Sequence, residues 1–246
     1  MSDSAETTSS RASWRSVIAT PIRLLTFRAS REELINVTSK HLAFGLLCAW
    51  IVGMGRYWDN PRVHLLQHLG IGSVVYVFVL SLFLWLLVWP LRPKNWSYFR
   101  VLVFVSLVSP PAILYAFPVE KFYSLDTANG VNELFLLIVA TWRVALLVFF
   151  LRRVGQLSGL KIVIATMLPL TLIVVTLTIL NLEKAVFDFM GGMREGTASD
   201  ASYGILFTLS LLAFFLIIPL LLCYAVLIRA AGIEARQERY KKLYDE

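Results

Sequence analysis

The chain has 246 residues, 58% of them hydrophobic and 16% charged, with a formal net charge of +7. Soluble domains carry about a quarter charged residues, so this composition, with a mean hydropathy of +0.71, excludes one. The apolar runs are continuous rather than alternating, which excludes a transmembrane β-barrel. The reading is an all-α integral membrane protein: a six-span transmembrane helix bundle with an N-terminal interfacial amphipathic helix.

Residues 1–40 form a cytoplasmic N-terminal region. Its first 13 residues are polar and rich in Ser and Thr, without the short apolar core of a signal peptide. Trp14, Val17, Ile18, Ile22 and Leu25 then interleave with Arg15 and Arg23. This pattern predicts an amphipathic helix in the inner-leaflet interface, started or bent by Pro21.

Residues 41–229 hold six apolar runs, at 42–58, 70–91, 99–117, 134–151, 160–182 and 204–228. A hydrocarbon core of about 30 Å needs about 20 residues of helix. The first run is short, contains Gly45, Gly53 and Gly55, and ends in Arg56-Tyr57-Trp58. It reads as a span with Tyr57 and Trp58 in an aromatic belt and Arg56 snorkelling, against a re-entrant or interfacial helix.

Between the first two runs, Asp59-Asn60-Pro61 has the form of a helix start. His64 and His68 lie four apart and share a face of that helix. Asp59, His64, His68 and Glu120 make an outer-face polar cluster. Two histidines fall short of the three or four ligands zinc requires, so a solvated interfacial helix is the plainer reading and no metal site is assigned.

The third run carries Ser109-Pro110-Pro111 near its centre. A proline removes the hydrogen bond to the carbonyl four residues back, here those of Ser106 and Leu107. Pro169 does the same for Ala165 in the fifth run, beside Thr166 and Thr171. Arg143 sits mid-way along the fourth run, where a charge costs roughly 2.5–3.5 kcal/mol on insertion scales. No acidic residue occurs at comparable depth in any run. Arg143, Ser109, Pro110, Pro111, Pro169 and Thr166 therefore form a midplane polar site. It reads as a clamp between helices or as a solute or ion site, with a contact to a partner subunit as the third possibility.

The last run is nearly all Leu, Phe and Ile apart from Ser210, Pro219 and Cys223, and is expected to face lipid. Residues 230–246 form a charged helical tail. Cys48 and Cys223 read as small buried hydrophobes.

The Lys and Arg residues alternate between the gaps. Counting those at the run ends with the adjoining gaps, one set of gaps holds 17, the other five, and the remaining one, Arg143, lies mid-way along a run. The positive-inside rule places the richer set, with both termini, in the cytoplasm, as an even number of spans requires. The sequons Asn36-Val37-Thr38 and Asn95-Trp96-Ser97 then fall inside the cell and read as chance matches. The basic excess suits anionic lipid at the cytoplasmic face. Nucleic-acid binding is excluded because no basic soluble surface with a recognition motif is present.

No motif of an enzyme is present, and no cofactor is implied. The expected function is a structural or assembly subunit of a membrane complex, with a small-solute or ion transporter or channel around Arg143 as the alternative. Expected partners are the lipid bilayer and other membrane subunits or a second copy. The short loops point to a bacterial inner membrane.

Overall fold

A computed structural model of the chain describes residues 14–56, 65–182 and 200–244, and all regular structure among them is helical. Helix α1 (Trp14–Leu25) buries a stripe at three- and four-residue spacing, Val17, Thr20, Pro21 and Leu24, and leaves Ile18, Ile22 and Arg23 exposed. The chain then turns through Phe27 into α2 (Arg31–Ile35). A capping box starts α2: Glu33 N–H donates to Ser30 Oγ at 3.2 Å and Ser30 N–H donates to Glu33 Oε2 at 2.8 Å, which satisfies donors the helix itself cannot. Arg23 pairs with the same Glu33.

Helix α3 (Ser39–Gly55) has 17 residues, about 26 Å at 1.5 Å per residue. Its buried face carries Gly45, Ala49 and Gly53, one small residue per turn. These glycines are packing devices. A Cβ on Gly45 would lie 2.2 Å from Ser106 Oγ, and one on Gly53 would lie 2.9 Å from the Gly70 carbonyl oxygen. Small residues let membrane helices approach backbone to backbone, and α3 packs in this way against its neighbours.

After the single turn of α4 (Leu65–His68) come α5 (Ile71–Val88), which tightens into a 3₁₀ turn at Trp89–Leu91, and α6 (Tyr98–Leu107). Every residue of α6 from Val101 to Leu107 is buried, as expected of a helix apolar on all sides. It is the centre of the bundle, with α3 and α5 against it. A 3₁₀ segment, Pro110–Ala116, continues its line. The last elements are α7 (Leu125–Arg153), α8 (Gly159–Ile179) and α9 (Asp200–Tyr244). Helix α8 lies along α9, and the Thr178 and Ser210 hydroxyls hydrogen-bond across that seam at 2.9 Å.

Among the described residues, five segments are long and apolar enough to cross a membrane: Ile71–Leu91, Tyr98–Ala116, Thr127–Arg153, Gly159–Ile179 and Leu206–Gln237. The run at 42–58 corresponds to α3, which is shorter than these. The prolines act differently in the two runs that carry them. The third run breaks, since α6 stops at Leu107 and the 3₁₀ segment takes over. Helix α8 runs unbroken through Pro169. Helix α9 fuses the last run with the tail into 45 residues, about 68 Å of helix.

Candidate functional site

Helix α7 carries Arg143 nine residues before Arg152, about 14 Å along the axis. Val108 lies eight residues beyond Arg100 on the line of α6, about 12 Å. The two positions meet: Arg143 Nε donates to the Val108 carbonyl at 3.3 Å.

That carbonyl is available because of the Ser109-Pro110-Pro111 break, by a different route from the one expected. Pro110 and Pro111 have no N–H to give to Ser106 and Leu107. The Ser106 carbonyl is nonetheless taken up locally, by Ser109 N–H at 3.3 Å. The chain has tightened to 3₁₀ spacing, so Ala112 N–H bonds Ser109 at 3.0 Å instead of reaching back to Val108. Val108 loses its helical donor, and Arg143 replaces it. The carbonyl that Arg143 takes is therefore that of Val108; the Ser106 carbonyl is taken up by Ser109, and Leu107, with prolines three and four residues on, receives no N–H at helical spacing.

Among the described residues, the side chains near enough to act electrostatically on Arg143 are Tyr76, Tyr115 and Arg56. They come from α5, the 3₁₀ segment and the end of α3, so four elements converge. The Arg56 guanidinium lies 4.9 Å from the centre of the Tyr115 ring, a cation–π contact. Tyr115 is 8% exposed, and its hydroxyl forms no hydrogen bond among the described residues. Val52, Ala112 and Val139 pack with Tyr115 in one buried cluster. Val52 and Val139 each stand one turn before Arg56 and Arg143, so the polar groups rise from an apolar floor.

Pro169 and Thr166 do not join this group. Both are buried, but no hydrogen bond or electrostatic contact links Arg143 to α8 among the described residues. The Thr166 hydroxyl is buried without a partner among them. Its neighbours Ile162 and Ala165 belong to a separate cluster with Val88, Leu91, Leu151 and Leu157. Tyr76, Tyr115 and Arg56 were missed from sequence. The signal was present, since tyrosines are scarce within the runs, but only the fold aligns them in depth.

Trp142, beside Arg143, donates its indole N–H to the Leu25 carbonyl at the end of α1 at 3.0 Å, and Phe27 meets Phe149 edge-on. The N-terminal segment is thereby tied into the flank of α7 over the stretch from Trp142 to Phe149.

Two titratable groups serve the N-terminal segment. His41 precedes the first apolar run and is 3% exposed. Its Nδ1 accepts the Thr38 N–H at 3.2 Å. Burial pushes its pKa down, against a smaller upward pull from the Ser16 backbone. The Glu33 carboxyl is held below its usual range, first by the Ser30 backbone N–H and further by Arg23.

Of the outer-face cluster, Asp59 and His64 lie outside the described residues, as does the Glu120 side chain. His68 closes the single turn of α4. No group of three His, Cys, Asp or Glu that could hold a metal occurs among the described residues. At the other end, Arg92, Gly232, Ala235 and Arg236 line a cavity between the turn after α5 and helix α9. No family model, no curated protein and no solved structure matches this chain.

Proposed function

We propose that this is a six-span integral protein of the bacterial inner membrane, with both termini cytoplasmic, that moves a small solute or ion through a midplane site around Arg143. The carrying observation is the state of Arg143. A guanidinium has five N–H donors and no acceptor, and here a single donor atom, Nε, finds a partner among the described residues. A helix clamp would engage more of them. Unwound backbone and a charge at mid-depth are also the general plan of transporter binding sites. Six spans follow from counting α3 as a short span and from the 17-to-five division of basic residues. The cavity lined by Arg92 and Arg236 supports anionic lipid as a partner at the cytoplasmic face.

The test is flux in proteoliposomes, using inorganic phosphate, acetate and nitrate as tracers. Arg143→Leu and Arg143→Lys are expected to lower flux at least about tenfold, on the scale of one lost charge-assisted bond. Arg143→Lys should remain monodisperse in detergent. No flux above protein-free vesicles for any tracer would remove the transport reading.

A structural or assembly subunit is the second reading, favoured by α9. Only 11% of its apolar window is buried within the chain, and it runs on as one helix into the charged tail. Photo-crosslinking from Phe215 or Tyr240 in native membranes tests it. Both side chains are exposed, and a discrete protein adduct supports this reading, whereas lipid adducts alone count against it.

A further inference from the structure

We propose that Arg143, Arg56, Tyr115 and Tyr76 form a binding site for a small free oxyanion, such as a carboxylate, nitrate or phosphate. The site deepens the transport reading only in placing it at mid-membrane; the binding chemistry stands on the geometry.

Arg143 spends Nε on the Val108 carbonyl, and this bond fixes the plane of the guanidinium. The two terminal nitrogens are left with four N–H groups that meet no acceptor among the described residues. A fixed guanidinium edge matches two oxygens of one anion. Tyr115 adds a second unfilled donor. It is more than nine-tenths buried, has no hydrogen-bond partner among the described residues, and lies beside both arginines.

Charge points the same way. Arg56 and Arg143 are close enough to repel one another, and among the described residues the other ionisable neighbours of Arg143 are tyrosines, not carboxylates. Two positive charges and two phenolic donors around an apolar floor complement a negative ligand and disfavour a cation. The depth selects the source. At about 14 Å from the helix end at Arg152, near half of a core of about 30 Å, the site lies well below the phosphates of lipid headgroups. A free anion is the occupant, not a lipid.

The experiment uses the full chain purified in detergent, titrated with sodium acetate, nitrate or inorganic phosphate at constant ionic strength, with binding read by calorimetry. Saturable binding of at least one oxyanion is expected. Tyr115→Phe removes a hydroxyl that bonds nothing in the protein, so the fold is retained, and affinity is expected to fall about tenfold. Arg143→Lys keeps the charge, loses the two-pronged edge, and is expected to weaken binding by a similar factor. Titration with dioleoylphosphatidylglycerol vesicles is expected to leave affinity for the free anion unchanged; competition by the lipid would overturn the assignment of a free anion. Absence of saturable binding for all three anions, or binding by both variants equal to that of the parent, would overturn the site. Anion binding without flux retains the site and removes transport. Flux untouched by Tyr115→Phe and Arg143→Lys does the reverse.

Discussion

At the scale of single residues, two buried polar groups give opposite lessons. Thr166 is 1% exposed and its hydroxyl bonds nothing among the described residues. A buried polar group without a partner costs about 1–3 kcal/mol. Thr166→Val keeps the shape and removes the hydroxyl, so it is expected to stabilise the protein by up to about 1 kcal/mol in a denaturant titration. His41 is also buried, and its Nδ1 accepts a backbone N–H, which requires the unprotonated nitrogen. Its pKa is depressed in the fold, so the unfolded chain binds the proton more readily. Stability is then intact above the ordinary histidine value of 6.5 and declines as pH falls through it toward the folded value. Glu33 acts in the same direction at lower pH, because its carboxyl also has a depressed pKa. Thermal unfolding from pH 8 to pH 5 should show Tm dropping on the acid side. His41→Gln should flatten the part of that drop near the histidine range.

At the scale of elements, α3 and α6 make the decisive contact. Gly45→Ala would drive a Cβ into Ser106, and overpacking of this kind costs about 1–3 kcal/mol. The loss is expected as a lowered Tm. Ser106→Gly should recover part of it, because both side-chain atoms within 3 Å belong to Ser106, and neighbours of this type are non-additive. Gly130, with nothing within 4 Å of a built Cβ, is the control: Gly130→Ala should be neutral or slightly stabilising, as helix propensity favours alanine. The glycines of α3 were legible in the sequence, yet they counted against a firm helix. Periodicity reveals which residues are apolar, whereas the value of a missing side chain depends on what lies opposite, and Ser106 is 61 positions away. The Ser109-Pro110-Pro111 break was legible for the reason given by the missing N–H groups. That Arg143 would take the Val108 carbonyl was not, because the switch to 3₁₀ spacing left Val108 without a helical donor as well. Pro169, read in the same way, broke nothing.

At the scale of the whole molecule, the apolar runs and their lengths carried over well. Four of the six runs, beginning with the second, coincide with the cores of segments able to cross a membrane, and the last extends into the tail. Orientation rests on charge alone. Single cysteines placed in a background lacking Cys48 and Cys223 test it: a membrane-impermeant maleimide should leave positions 156 and 240 unlabelled in intact cells and label them after lysis. The bond from Trp142 to Leu25 spans 117 positions, and it sets an order of events during synthesis. Helix α1 leaves the ribosome long before α7 exists. At about 5–20 residues per second, roughly 6–23 s separate the two. During that interval the Leu25 carbonyl lacks its Trp142 donor, and α1 has α3 but not α7 against it. The first helix made is thus one of the last to complete its contacts. A truncated nascent chain that stops before Trp142 should leave α1 open to protease, and lengthening the chain past Phe149 should close it.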